Sequence, residues 1–337
     1  MRVLCINTGS SSLKWALFAG GERVGAAQAT ELRQPEDFRA ALAGALRGLS
    51  EPPEAVAHRI VAANTVWPGA RRLDAGLETE LTELIPLAPD HLPQALAALA
   101  AARAAFPSLP QVACSDSSFH RTLPAVARRL PLAAELGLER YGYHGLSCAS
   151  VVAALRAERA LPERLIIAHL GHGCSLTGVR SGASVETTMG FSPLGGVMMS
   201  TRSGDLDPGV LLYLLRERGL TPEALSRMLN QEAGLRGVSG SSGDMKTLLA
   251  DARPEAAAAI ELFVYTVRQA VGALAAALGG VELLVFTGGI GEHSEEIRRR
   301  VCAGLEWLVP AARVIPAGEE RVMAAQAEEV LHGVSLR

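Results

Sequence analysis

The chain is 337 residues long, with 49 % hydrophobic and 20 % charged residues, the balance of a soluble globular protein with room for two domains. A net charge of −3 gives no electrostatic footprint for nucleic acid or for an acidic membrane surface. No apolar run approaches about 20 residues, Asn7 cuts the first one too short for a signal peptide, and Cys5, Cys114, Cys148, Cys174 and Cys302 lack metal-ligand spacing, which together predict a cytoplasmic protein with reduced thiols.

Strands are predicted at 2–8, 12–18 and 22–28, then a helix over 35–48 and a buried strand over 55–61. An alanine-rich helix over 93–105 precedes a short strand over 111–114 that runs into Asp116. The second half repeats this plan. Strands are predicted at 164–170, 174–179 and 183–187, followed mainly by helices, with a long one over 254–278. A strand over 282–287 enters a glycine-rich turn and a helix from about 294. A last strand at 313–315 precedes a helix over 318–331. The alternation predicts layered α/β domains. The turns at 7–13 and 170–176 both end in Ser-Leu, which fits a duplicated domain and fits two unrelated hairpins as well.

The first turn, Asn7-Thr8-Gly9-Ser10-Ser11-Ser12-Leu13-Lys14, carries backbone N–H groups, hydroxyls and an ammonium that suit phosphate oxygens. The Asn7 amide oxygen suits the hydration shell of magnesium. An ordinary polar hairpin turn has the same composition. Lys14 and Lys246 are the only lysines, and both lie in candidate nucleotide loops. Two lookalikes are set aside. Gly240 to Thr247 is no Walker loop, because Asp244 and Met245 separate Gly243 from Lys246. Gly288-Gly289-Ile290-Gly291 lacks the dinucleotide spacing and reads as a turn that lets the backbone approach an adenosine at Gly289 and Gly291. Phosphate oxygens carry dense negative charge, which planar guanidinium groups are suited to bridge. Arg59, near the end of a buried strand, and Arg202, in a Gly/Ser-rich stretch, are the candidates, with Asp116 placed to orient Arg59, hold magnesium-bound water or cap a helix.

The motifs recur along nearly the whole chain in the order found in the acetate kinase family, which belongs with sugar kinases and actin. His58-Arg59-Ile60-Val61 resembles the family's His-Arg-Val-Val, and Asp116-Ser117-Ser118-Phe119-His120 its Asp-Thr-Ala-Phe-His. Tyr141-Gly142-Tyr143-His144-Gly145 resembles Tyr-Gly-Phe-His-Gly, and His169-Leu170-Gly171-His172-Gly173 resembles His-Leu-Gly-Asn-Gly. The stretches from Thr188 to Pro208 and from Phe286 to Glu292, and Val314-Ile315-Pro316, complete the series. The resemblance implies two ribonuclease-H-like domains with a nucleotide cleft: 1–145 plus about 317–337 on the acceptor side, and 146–316 on the nucleotide side. It implies reversible, in-line, ATP- and Mg2+-dependent phosphorylation of a short-chain carboxylate, acetate foremost, by a homodimer. Arg59, Asp116, His144 and Arg202 take the catalytic positions; His58 and His120 are read as structural. Ser10, Ser12, Lys14, His169, Gly171, His172, Gly173, Asp244 and Lys246 take the nucleotide and phosphate positions. Asn7 and Glu319, with Glu320 as its neighbour, take the metal positions, although Ala317-Gly318 replaces the usual Thr-Asn.

The chain departs from the family at several places. Ala62-Ala63-Asn64 replaces His-Gly-Gly, His172 replaces the second phosphate loop's Asn, and Lys246 replaces an Arg. Asp90 stands where a leucine would line the methyl pocket with Val61 and Pro193. Much of the family's segment between the glycine turn's helix and Val314 is missing. Propionate, butyrate or a polar small acid as acceptor is therefore an alternative. A nucleotide-binding sensor without transfer activity is a second one.

Overall fold

The computed structural model describes residues 1–9, 12–30, 32, 35–47, 51–61, 69–85, 88 and 91–333, so Ser10, Asp90 and Ala62-Ala63-Asn64 lie outside the described residues. The chain forms two compact units, Met1–Arg121 with Gly318–Arg337, and Thr122–Ala317.

The first unit is built on β1 (Arg2–Thr8), β2 (Ser12–Ala19), β3 (Glu22–Thr30), β4 (Ala55–Ile60), β5 (Ala70–Arg72) and β6 (Gln111–Ser115), in sheet order β3-β2-β1-β4-β6-β5. β1 to β3 form an antiparallel meander, β1, β4 and β6 run parallel, and β5 returns antiparallel to β6. Val3 to Thr8 are buried without alternation, as a central strand covered on both faces requires. β3 is the exposed edge, which its Glu22, Arg23 and Gln28 suit. On α1 (Pro35–Arg47), Phe38 and Leu42 are one helical turn apart and pack on Leu4, Ile6, Leu13 and Leu17. Their burial contributes about 1.5–3 kcal/mol each. α2 (Ala75–Glu83) starts at Asp74, whose carboxylate accepts from Leu77 N at 2.8 Å, and with α3 (Leu92–Ala105) it covers Ile60 and Ala113.

The second unit holds β7 (Arg164–Leu170), β8 (Cys174–Arg180), β9 (Ala183–Thr187), β10 (Leu283–Thr287) and β11 (Ala312–Val314), in order β11-β10-β7-β8-β9. An antiparallel meander of three is again extended by two parallel strands on the side of its first member. This shared order is the duplication at which the two Ser-Leu turns hinted. Its helices are α4 (Ala125–Arg128), α5 (Gly145–Ala157), α6 (Pro208–Arg216), α7 (Pro222–Arg227), α8 (Gly234–Ser239), α9 (Met245–Leu249), α10 (Pro254–Leu278), α11 (Gly288–His293) and α12 (Glu295–Cys302). α10 is long and apolar enough to cross a bilayer by length and composition alone, a test that core helices also pass. It buries Phe263, Val267, Val271 and Leu274 as a core helix does. α13 (Glu319–His332) returns to the first unit, where Cys5 Sγ donates to Glu320 O at 3.2 Å.

Residues 122–145, assigned from resemblance to the first domain, pack within the second unit. Thr122 Oγ1 donates to Ser184 O at 2.9 Å, Arg140 Nη1 to Thr187 O at 2.8 Å, and Tyr143 Oη to Phe191 O at 2.8 Å. The glycine turn after β10 is the first turn of α11 rather than a loop. β5, α2, α4 and α5 have no counterpart in the predicted elements; β5 and α4 are only three and four residues long, and α5 opens on a Gly-Leu-Ser-Cys stretch without apolar periodicity.

His58, on β4, is fully buried with Nε2 2.8 Å from Gln111 Oε1, and burial lowers its pKa to about 4. Its folded pKa lies below the ordinary 6.5, so the unfolded chain binds the extra proton between those values. Stability is therefore fully present above about pH 6.5 and is lost as pH falls toward 4. Denaturant unfolding at pH 5 is expected to show a His58 contribution smaller by about 2 kcal/mol than at pH 7. A folded His58→Asn protein with the same acid slope as wild type would refute this.

Candidate active site

The first unit gathers a charged cluster at the ends of its parallel strands. Arg59, one residue before the end of β4, is 12 % exposed and donates from Nη2 to Asp116 Oδ2 at 2.9 Å. Its Nη1 donates to Asn7 Oδ1 at 3.2 Å. Asp116, directly after β6, is fully buried. Adjacent parallel strands bring the two together, since Arg59 and Ile60 register with Cys114 and Ser115. Asn7, near the end of β1, donates from Nδ2 to Glu319 Oε2 and to Glu320 Oε1, both at 2.7 Å. Burial acts to lower the Arg59 pKa, but Asp116, Glu319 and Glu320 outweigh it and hold the guanidinium above its ordinary range. Three carboxylates around one guanidinium leave negative charge in excess, and every donor is a hard oxygen, a set that fits a magnesium ion. Among the described residues no three or more His, Cys, Asp or Glu form a metal cage. Arg59 Nε finds no acceptor among the described residues, so this buried N–H has a donor to offer.

The second unit assembles the rest. His144 stands at the N-cap of α5 with φ 57°, in the left-handed region that His, like Asn and Asp, enters more often than other side chains. The β7–β8 hairpin turns at Gly171-His172-Gly173, closed by Gly171 N donating to Gly173 O at 3.0 Å. A Cβ on Gly173 would stand 3.2 Å from Arg202 Nη1 and 3.3 Å from His144 Nε2, so these two cationic or donor groups converge on the loop's backbone. Arg202 is buried, and its Nη1 donates to Pro193 O at 3.1 Å. Gly288 needs its φ of 77°, and a Cβ there would lie 2.9 Å from Leu170 O and 3.1 Å from His169 Nε2. Burial, then the Arg202 charge, lowers the His172 pKa, which keeps that ring neutral at pH 7. Burial pushes the Cys174 thiol up to about 12, leaving it a neutral donor to Gly171 O at 3.3 Å rather than a nucleophile.

The remaining predicted residues divide. Ser12 opens β2, its carbonyl accepting from Gly9 N at 2.8 Å, and Lys14 is exposed opposite Asn7 in the β1–β2 register. Asp244 caps α9, accepting from Thr247 N at 2.9 Å and Thr247 Oγ1 at 2.7 Å, and the hydroxyl bond leads the effects that lower its pKa. Lys246 is exposed in the first turn of that helix. Gly289 is exposed at the start of α11, whereas Gly291 is buried against Phe286 and Ala168, where it admits close packing of helix on sheet. Val61 is buried directly after β4. Residues not singled out from sequence are Ser147, Ser175 and Glu292. Glu292 Oε1 accepts from Gly288 N at 2.9 Å and from Ala317 N at 3.0 Å, tying the glycine turn to the segment leading to Glu319. Glu292 closes the glycine motif and Ser175 the second Ser-Leu turn, whereas Ser147 had only its nearness to the His144 motif as a signal.

Two ribonuclease-H-like sheets of like strand order, the first followed by the Arg59–Asp116–Asn7 cluster and the second by Arg202, His144 and the glycine turns, define a phosphotransferase of the actin-like fold. Residues 43–311 match the model of the Acetokinase family. The acetate kinase of Rhodopseudomonas palustris (strain ATCC BAA-98 / CGA009) is 46 % identical over 280 residues, covering 80 % of this chain and 70 % of that one. Two solved structures superpose over nearly the whole chain. The Porphyromonas gingivalis acetate kinase has a TM-score of 0.86 at 29 % identity, covering 98 % and 99 % of the two chains. A Francisella tularensis propionate kinase has a TM-score of 0.86 at 28 % identity, covering 96 % and 98 %. The chain belongs to the Acetokinase family.

Proposed function

We propose that this chain transfers the γ-phosphoryl group of ATP to the carboxylate of acetate and catalyses the reverse reaction. A carboxylate oxygen forms a bond to the γ-phosphorus as the bond to the bridging oxygen breaks, giving acetyl phosphate and ADP. The observation that carries the reading is the Arg59 guanidinium, held by Asp116 and Asn7 beside Glu319 and Glu320. Arg59 receives the acceptor carboxylate, which is already ionised near neutrality and needs no general base. Arg202 and His144 receive the oxygens of the transferring group, whose spread charge calls for preorganised donors. Asn7, Glu319 and Glu320 would hold a magnesium ion through its waters. When bound, the ion neutralises charge on the β- and γ-phosphates. The phosphate loops at Ser10, Ser12 and Lys14 and at His169 to Gly173, with Asp244, Lys246 and Gly289, serve the nucleotide. Val61, Pro193 and Asp90 serve the acceptor's alkyl group.

The enzyme is read as cytoplasmic and homodimeric. For the dimer, α6 buries none of its residues and leaves Val210, Leu212 and Tyr213 exposed, an apolar face that a second copy would cover. A monomer by sedimentation at assay concentration would refute it.

A hydroxamate assay with ATP across acetate, propionate, butyrate and a small hydroxy acid tests the function, with Mg2+ and with chelator. Acyl hydroxamate is expected only with the metal, with acetate giving the highest kcat/KM. Preference for the hydroxy acid, reversed by Asp90→Leu, would replace acetate by a polar acceptor. Nucleotide binding without product from any acid would identify a sensor.

A further inference from the structure

Two histidines of the second unit lie face to face. The rings of His144 and His169 stack with centroids 4.1 Å apart and planes at 22°. A buried serine meets each Nδ1: Ser175 Oγ is 2.9 Å from His144 Nδ1, and Ser147 Oγ is 2.8 Å from His169 Nδ1. The supports are crossed. Ser175 lies on β8 directly opposite His169 on β7, and Ser147 lies in the first turn of α5, which His144 caps. Each histidine is thus held by the element that carries or borders the other. The Nε2 atoms point the other way, toward glycine backbone. A Cβ on Gly173 would meet His144 Nε2 at 3.3 Å, and a Cβ on Gly288 would meet His169 Nε2 at 3.1 Å.

We propose that Ser175 and Ser147 are positioning residues that hold His144 and His169 as Nε2–H tautomers, so that two aligned N–H donors face the glycine loops. That these loops receive phosphate rests on the function proposed above. The argument is one of donor and acceptor matching. Phosphate oxygens are acceptors, so a neutral imidazole serves them only when its proton sits on Nε2. A hydroxyl donating to Nδ1 selects that tautomer. Two imidazolium cations stacked at this separation would repel each other. Without the serine, a neutral ring divides between tautomers and part of the population presents a lone pair to an anion.

The test reads ring nitrogens by long-range ¹H–¹⁵N correlation on ¹⁵N-labelled full-length protein without nucleotide, slightly above neutral pH. Both rings are expected to carry the proton on Nε2. Ser175→Ala should turn His144 into a tautomer mixture and lower kcat about tenfold, with KM for acetate nearly unchanged. Ser147→Ala should do the same to His169 and raise KM for ATP. A wild-type His144 protonated on Nδ1 would overturn the proposal, even if neither variant folds. Unchanged tautomers in folded variants would overturn it as well. Nε2–H rings in a wild type that makes no acyl phosphate would overturn the proposed function and leave the tautomer assignment standing.

Discussion

Arg59→Ala is expected to lower kcat by about 10²–10³-fold, the loss that follows removal of a preorganised donor to developing charge. The guanidinium is shared between Asp116 and Asn7, and its Nε has no acceptor among the described residues. A fork held in this way can bridge oxygens that a point charge cannot, so Arg59→Lys should recover little activity. The alanine variant also leaves Asp116 buried without its cation, at a cost of up to about 3–5 kcal/mol for a fully buried pair. The lysine variant keeps a positive charge there and separates folding from turnover. Near-normal kcat in folded Arg59→Lys would refute the bridging role and leave Arg59 as half of a structural ion pair.

Arg202→Ala is expected to cost a similar 10²–10³-fold in kcat. Here the competing structural role is specific: Arg202 Nη1 donates to Pro193 O at 3.1 Å and so braces its own loop. Gly173→Ala separates the two roles. The new Cβ would stand 3.2 Å from Arg202 Nη1 and 3.3 Å from His144 Nε2, so it presses on both donors from the hairpin side. If the donors act on phosphate, Gly173→Ala should lose much of the activity while Arg202 and its brace remain. Full activity in Gly173→Ala, with loss in Arg202→Ala accompanied by a lowered Tm, would leave Arg202 as a brace only.

Most elements were legible in the sequence because their cause is local. The runs 164–170 and 183–187 and the 25-residue α10 match their predicted spans, since apolar patterning over one window fixes an element's type. The exceptions are equally physical. β5 is three residues long and is a strand because β6 offers it an edge. The Gly288 turn becomes helix because Glu292 accepts from Gly288 N one turn earlier. Asp244 shows the limit from the other direction: a residue nominated for a nucleotide loop caps a helix, and both descriptions satisfy the same letters.

The amino-acid order already held the identity of the groups that carry chemistry, because Asn7, Arg59, Asp116, His144 and Arg202 stand in short motifs whose residue types are demanded by phosphate and carboxylate. It also held two turns ending alike, which only the shared strand order of the two sheets tells apart from two unrelated hairpins. What it could not hold was partnership. Arg59 finds Asp116 across parallel strands 57 positions apart, and Asn7 finds Glu319 across 312 positions. Segment 122–145 joins the second unit through hydrogen bonds to Ser184, Thr187 and Phe191 that no window along the chain contains. The serines behind the histidines belong to the same class. A hydroxyl carries no periodic signal, and its meaning comes from the ring nitrogen that packing sets before it.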